Sequence, residues 1–388
     1  MKIVIGSESF SPNISGVAIA TEVLATSLAK KGHQVFVFAP SHPLADDGLF
    51  KDFKVIRFKS KKNPFRQGFM VAENPKEAVY KKVLAIEPDI LHLQDPTNIC
   101  TGLLKAAQKL HLPIVISNHF SLDYITSYFN YLKPLHPAMK FIFRIYLTNY
   151  YNRCDWVICP TKTVKKELIS WGVKKPIEAI SNGVDLEKFY SYANLRSLYL
   201  KYHLPSNPIV LYLGRIDQDK NLEVLVEAIP IVLGKINLHF VIAGSGNDLE
   251  KIKKIAQNLG VDQKISFLGW IGHDSADLPQ LYQAAEIFVI PAPYETQSLV
   301  VMEAMASGLP IVGSASGALP ELIKDGQNGF LFRPGDSQDM ASKIIKIFQN
   351  KDLREEMSRK SLELILSHQV QESINKINRI YEKVLVNH

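Results

Sequence analysis

Two glutamates eight residues apart, Glu295 and Glu303, stand in the stretch 291–332, PAPYETQSLVVMEAMASGLPIVGSASGALPELIKDGQNGFLF. Before them, IFVI at 287–290 is a β-branched apolar run that Pro291 and Pro293 end. Apolar residues then recur at helical spacing over 299–305. Gly308-Leu309-Pro310 stops that helix, 311–313 starts a second strand, and a loop over 314–320 leads to a short helix carrying Glu321. Glu295 falls in the loop before the first helix and Glu303 about two turns into it, so both can face one crevice. The backbone N–H groups of Gln297, Ser298, Leu299 and Val300 then point from the helix start into that crevice, an anion site. The plainer reading is a glutamate favouring a helix dipole by about 0.3–1 kcal/mol and another on a solvated face. Against it, Val300, Val301, Met302, Ala304, Met305 and Ala306 surround Glu303 and keep it from bulk water.

A second constellation follows the buried strand IVLYL at 209–213. In GRIDQDKN, Arg215 and Lys220 are five residues apart in the loop before a helix. Two fixed cations there suit a diphosphate, Arg as a planar fork and Lys as a point charge. Asp217 and Asp219 form a D-x-D of the kind that holds a metal, but they lie between the two cations and are read as no metal site.

The E-x-x-x-x-x-x-x-E of 295–303 and the GR-x-x-x-x-KN of 214–221 resemble the signatures of retaining nucleotide-sugar glycosyltransferases of the GT-B fold, family 4. The resemblance covers nearly the whole chain and is weakest over 42–85. It implies an α/β architecture, two doubly wound parallel-sheet (Rossmann-like) domains facing across a cleft. The implied activity moves a hexosyl unit, glucose or mannose, from a nucleoside-diphosphate sugar such as UDP-glucose with retention at the anomeric carbon. Of the site residues it implies, His119, Arg215, Lys220 and Glu295 are catalytic. Gly16, Gly214, Arg215, Lys220, Gly244, Gly269, Glu295, Thr296, Gln297, Ser298, Leu299 and Glu303 bind the donor, Glu295 meeting a sugar hydroxyl and Glu303 the ribose. Acceptor binding falls to His119, Asp123 and Tyr124. Neither metal nor cofactor is implied. Ser298 stands where the family most often has Gly, and Ser15-Gly16 where it often has Gly-Gly.

The elements that must position these groups read as repeated strand–loop–helix, the grammar of parallel α/β sheets. Residues 2–5 form a first strand, 17–31 a helix capped by Gly32, and 35–39 a second strand. The loop between them lacks G-x-G-x-x-G, and so does the loop after the strand at 238–242, where Leu249 replaces the third glycine; an oxidoreductase is disfavoured. Strands at 88–95, 114–119, 156–160 and 177–180 follow, with His119 at a strand's C-terminal end. Ser181-Asn182-Gly183-Val184-Asp185 resembles the family's interdomain signature. The expected domains are 1–190 for the acceptor and 191–388 for the donor, with a last helix near 368–388 packing back on the first. One helical pattern runs 336–365.

At 388 residues, 46% hydrophobic and 21% charged, the chain has the composition of a soluble globular protein of two ordinary domains. No window reaches the length of a transmembrane helix, and the N-terminal apolar run is too short for a signal peptide. Cys100, Cys154 and Cys159 suit a reducing compartment. Residues 1–190 hold 25 Lys+Arg against 16 Asp+Glu, the remainder 20 against 22, so the first half carries all of the +7 net charge. Within it, 53–69 (FKVIRFKSKKNPFRQGF) interleaves cations and phenylalanines, a pattern for RNA stacking, an anionic membrane or a solvated loop over buried aromatics. Residues 139–151 (MKFIFRIYLTNYY) form an apolar-aromatic helix that packs inward or lies in a membrane interface.

Ile14-Ser15-Gly16-Val17 and Asn118-His119-Phe120-Ser121-Leu122-Asp123-Tyr124 resemble bacterial diacylglycerol glucosyltransferases. The expected acceptor is therefore a membrane lipid such as diacylglycerol, met by a cytoplasmic enzyme peripheral on the inner face of an anionic membrane. No nucleic-acid partner is expected. A soluble sugar or polysaccharide acceptor and a non-catalytic nucleotide-sugar-binding protein are the alternatives.

Overall fold

Short apolar strands alternating with one-sided helices build two parallel sheets. This computed structural model describes residues 1–13, 15–63, 69–127, 130–190 and 195–388. The first sheet draws on β1 (Lys2–Gly6), β2 (Gln34–Pro40), β3 (Gly48–Phe50), β4 (Phe53–Phe58), β7 (Ile90–Leu93), β8 (Ile114–Ser117), β9 (Trp156–Cys159) and β10 (Ile177–Ala179); β5 (Ser60–Lys62) and β6 (Met70–Ala72) pair separately as an antiparallel ribbon. Helices α1 (Gly16–Lys30), α2 (Lys76–Ile86), α3 (Asn98–Leu110), α4 (Leu122–Ser127), α5 (His136–Tyr151) and α6 (Lys162–Trp171) connect them.

The second sheet uses β11 (Ile209–Leu213), β12 (His239–Ala243), β13 (Ile265–Gly269), β14 (Ile287–Ile290), β15 (Ile311–Ser314) and β16 (Gly329–Phe332). Its helices are α7 (Leu186–Tyr190), α8 (Arg196–Lys201), α9 (Glu223–Leu233), α10 (Leu249–Asn258), α11 (Asp277–Ala284), α12 (Leu299–Ala306), α13 (Leu319–Leu322), α14 (Ser337–Gln349) and α15 (Lys351–Ile365). The chain ends in α16 (Val370–Val386).

The strand orders are β10-β9-β8-β7-β1-β2-β4-β3 and β13-β12-β11-β14-β15-β16. Every pair is parallel except β3 with β4 in the first sheet. Strands covered on both faces read as nearly continuous apolar runs, and β7, β8, β11, β12, β14 and β15 are buried at every position. Order reverses between β1 and β7 in one sheet and between β11 and β14 in the other. Beyond the carboxyl ends of such strands, open α/β sheets bind their ligands.

Two compact units result, one of residues 1–182 with 370–388 and one of 183–369. The division lies at 182/183 rather than the expected 190. The reason is α7: Phe189 packs edge-on against Tyr282 of α11 at 5.7 Å, and its carbonyl accepts a bond from Ser307 Oγ at 3.2 Å. The helical pattern expected over 336–365 is two helices. They meet at Asn350, whose side chain accepts from Leu353 N at 3.0 Å and starts α15.

Helix α16 belongs to the first unit. Ile374, Ile377, Ile380, Tyr381 and Val384 line one face of it and join the core made by β1, β2 and α1. That apolar contact encloses a polar one. The Tyr381 hydroxyl lies 2.5 Å from His92 Nδ1, and His92 Nε2 lies 2.8 Å from Ser117 Oγ, all buried.

Candidate functional site

In the second unit the loops leaving β11, β12 and β13 lie against one another. Gly214 N donates to Ala243 O at 3.0 Å, Ile216 N to Ser245 O at 2.9 Å and Gly244 N to Gly269 O at 2.7 Å. A Cβ on Gly244 would stand 1.8 Å from Gly214 O, and φ is +154° at both glycines. Only glycine allows that approach, so the missing Gly244 side chain is explained by the neighbouring backbone. These loops fix the segment that carries Arg215 and Lys220.

The two cations do not stand open. The Arg215 guanidinium donates to Asp217 Oδ2 and, at 2.7 Å, to Asp219 Oδ2. Lys220 Nζ lies 2.6 Å from Glu295 Oε1 and 3.7 Å from Asp219 Oδ2. Burial pulls the Lys220 ammonium down, but the Glu295 and Asp219 charges more than offset it and hold it above the usual lysine range. The Lys220–Glu295 contact therefore joins the loop after β11 to the loop after β14, across the point where strand order reverses. Both members of the D-x-D are engaged by Arg215.

Glu295 is held from behind by the loop after β15. Ala318 N donates to Glu295 O at 2.8 Å, and a Cβ on Gly317 (φ +56°) would lie 2.6 Å from that oxygen. Thr296, Gln297 and Ser298 then lead into α12, whose first residue is Leu299. Ser298 is 2% exposed, and its hydroxyl has no partner among the described residues.

Glu303 is 4% exposed, away from bulk water as its apolar neighbours require. Its Oε2 accepts from the Tyr282 hydroxyl at 2.7 Å, and its Oε1 lies 3.5 Å from His273 Nε2. Lys188 Nζ holds His273 by its carbonyl at 2.6 Å. The two glutamates thus have separate partners, Lys220 for one and Tyr282 for the other. Sequence reading missed Asp219 as a partner and missed Tyr282, His273 and Lys188 altogether; nothing in α7, α11 or the loop before α11 marks them locally.

The first unit brings Gly16, His119, Asp123 and Tyr124 to strand ends or the helices that follow. Gly16 is exposed at the start of α1, behind Ser15, whose hydroxyl accepts from Ala18 N at 3.1 Å. His119 Nε2 is 2.9 Å from Gln94 Oε1. An amide oxygen only accepts, so Nε2 carries the proton, and burial drives the imidazole pKa down to about 4. Asp123 is half exposed and pairs with Lys140 of α5, while Tyr124 N donates to Ser121 Oγ at 3.1 Å.

Among the described residues, the basic-aromatic stretch is not a surface of stacked rings. Phe53 and Phe58 are core residues. Arg57 is half buried and donates to the carbonyls of Pro40, Ser11 and Asp46. Lys59, Lys61 and Lys62 are exposed, and Phe65 and Arg66 lie outside the described residues. Helix α5 divides: Leu147, Tyr150 and Tyr151 pack inward, whereas Phe141 (54% exposed), Ile142 (64%), Ile145 and Tyr146 face out. No described helix is long and apolar enough to cross a membrane.

Comparison with known proteins accounts for both units. Residues 14–188 match the family described as Glycosyltransferase Family 4, and residues 202–363 match Glycosyl transferases group 1. Sulfoquinovosyl transferase SQD2 of Arabidopsis thaliana is 29% identical over 340 residues, 84% of this chain and 62% of that protein, so the chain spans less than two thirds of its length. Alpha-monoglucosyldiacylglycerol synthase of Streptococcus pneumoniae is 29% identical over 363 residues, 89% of this chain and 78% of that one. The crystal structure of Anabaena Alr3699/HepE in complex with UDP-glucose superposes with a TM-score of 0.77 at 20% identity, covering 99% of this chain and 100% of that one.

Proposed function

The chain belongs to the family 4 glycosyltransferases and has their GT-B fold, and from that premise we propose that it moves a hexosyl unit from a nucleoside-diphosphate sugar to a membrane lipid such as diacylglycerol, with retention and without a metal. The observation that carries the donor half is the Lys220–Glu295 contact beside Arg215, at the strand ends where order reverses. As the glycosidic bond breaks, negative charge grows on the leaving diphosphate. Arg215, Lys220 and the N–H groups that start α12 stabilise it, the electrostatic contribution that is usually the largest in such a step. Glu295 orients the sugar by a hydroxyl, and Glu303 takes the ribose hydroxyls. The leaving phosphate itself receives the acceptor's proton, so no carboxylate has to act as general base, and with the acceptor attacking on the face the diphosphate leaves, none has to act as nucleophile. The UDP-glucose bound by the Anabaena protein supports a donor of this class.

The lipid acceptor rests on α5. Its outward Phe141, Ile142, Ile145 and Tyr146 are flanked by Lys140 and Arg144, and residues 124–154 contain no Asp or Glu. An apolar helix face with only basic charges suits an anionic interface, and the Streptococcus relative is named for a diacylglycerol product. Sedimentation with phosphatidylglycerol vesicles tests it. Binding should appear at low salt, weaken as salt rises and fall in Phe141→Ser/Ile142→Ser. No binding at low salt would put a soluble acceptor in first place. A thermal-shift panel of UDP- and GDP-sugars selects the donor: at 100 times its dissociation constant a true donor stabilises by about 2.7 kcal/mol.

A further inference from the structure

Strand order in the first sheet reverses between β1 and β7, and the first residue beyond β7 is Gln94. Its backbone N–H is tied to Gly6 O at the end of β1, at 2.9 Å. Its side chain is 2% exposed. The Oε1 end accepts from His119 Nε2, while the Nε2 end is buried without a partner among the described residues. Buried amide N–H groups are nearly always paired, and an orphan at the carboxyl end of a strand beside a switch point calls for a ligand. The loop after β1 holds a second such group of opposite sense, the buried Asn13 Oδ1, also without a partner among the described residues. Two acids, Glu8 and Asp95, stand beside these groups. Glu8 N donates to Asp95 Oδ2 at 2.7 Å, and Thr97 Oγ1 bridges Asp95 and Glu8.

Resting on the glycosyltransferase reading above, we infer that Gln94 binds the acceptor directly, its Nε2–H donating to a neutral hydroxyl oxygen, while its Oε1 holds His119 in one tautomer. The neighbouring Glu8 and Asp95 carboxyls disfavour a phosphate at this position. A neutral polyol fits, whether it is the glycerol of a lipid or the ring of a sugar.

The test is saturation kinetics with two acceptors, dioleoylglycerol in detergent micelles and free glucose, each with UDP-glucose and with GDP-mannose. In the arm that wild type uses, Gln94→Met should raise the acceptor KM about tenfold and leave the donor KM within twofold. Its melting temperature should stay close to that of wild type, because one orphaned donor is removed while His119 Nε2–H loses its acceptor; Gln94→Leu serves as the second variant. In a His119→Ala background Gln94→Met should raise the acceptor KM further. A wild-type acceptor KM in Gln94→Met and Gln94→Leu, or no added effect in the His119→Ala background, overturns direct binding. Turnover of a donor with transfer to neither alcohol also overturns it. Absence of any donor turnover by wild type would instead strike the glycosyltransferase reading.

Discussion

Arg215→Ala is the sharpest perturbation of the proposed donor site, because the structure sets two separate costs for it. In the donor complex the guanidinium would supply charge-assisted bonds to phosphate, each contributing about 1.5–3 kcal/mol. At 1.4 kcal/mol per tenfold, kcat/KM for the sugar nucleotide should fall roughly 10- to 150-fold. Without ligand the same side chain neutralises Asp217 and the nearly buried Asp219. Removing one partner of a buried pair costs up to about 3–5 kcal/mol, with Lys220 at 3.7 Å from Asp219 recovering part of it. The variant should therefore be less stable as well as slower, and the two effects must be separated. Asp219→Asn in the Arg215→Ala background removes the stranded charge, so it should restore melting temperature without restoring UDP affinity. Calorimetry with UDP or GDP and urea melts on wild type and these two variants measure both. If Arg215→Ala bound nucleotide within twofold of wild type and turned over donor normally, the phosphate assignment would be wrong.

Lys220→Ala should lose about tenfold in kcat/KM for the same reason, and activity should survive EDTA because Arg215 and Lys220 supply the positive charge; loss on chelation with recovery in Mg²⁺ or Mn²⁺ would revive Asp217 and Asp219 as metal ligands. Glu303→Ala should weaken binding of the bare nucleotide, whereas Glu295→Ala should leave it nearly intact and damage transfer, and the reverse pattern in calorimetry would sink the assignment of roles. Tyr381→Phe strips the hydroxyl from buried His92 and should cost about 1–3 kcal/mol of stability in urea melts. Burial lowers the His92 pKa to about 3, so the unfolded chain takes the proton first. Its contribution is fully present above about pH 6.5 and is lost as pH falls toward 3, by about 1.4 kcal/mol per unit; His92→Asn should remove that slope, and an unchanged slope would refute it.

The second unit was legible because its strands are uninterrupted apolar runs, and its charged loops follow them at once. Unbroken apolar runs mark IVLYL and IFVI, and Gly214 after the first and Pro291 after the second mark the turns. Pairing was not legible. That Asp219 would fold onto Arg215 depends on a turn of 3₁₀ helix over Gln218–Lys220, and that Tyr282 would meet Glu303 depends on packing between α11 and α12. The stretch at 53–69 left three readings open, and over 53–58 the one with buried aromatics holds, in a strand rather than a loop: Phe53, Val55 and Phe58 are buried in β4, which pairs with β2 inside the sheet. In the first unit, Gln94 carries no charge and belongs to no motif. Its position becomes visible only when the strand order places β7 beside β1.

The two units also differ in the kind of polar group they bring to their strand ends, and the difference suits the proposed division of labour. Beyond β11 and β14 the cations are already paired within the protein. Arg215 and Lys220 face Asp217, Asp219 and Glu295, so three carboxylates meet two cations. A diphosphate entering there exchanges one set of ion pairs for another, which avoids stripping bare cations of water. Beyond β7 and β8 stand a neutral imidazole, an amide and two buried acids. A phosphate would find no cation among the Glu8, Asp95, Gln94 and His119 side chains, whereas an alcohol needs none. The basic excess of residues 1–190 therefore has to be explained elsewhere. Lys59, Lys61 and Lys62 project from the β5–β6 ribbon, and Lys140 and Arg144 flank the outward face of α5. Charge carried on the outer surface attracts an extended anionic partner and does nothing for a small acceptor at the strand ends. In the proposed reading the surface cations find the membrane, and uncharged groups at the switch point choose the hydroxyl.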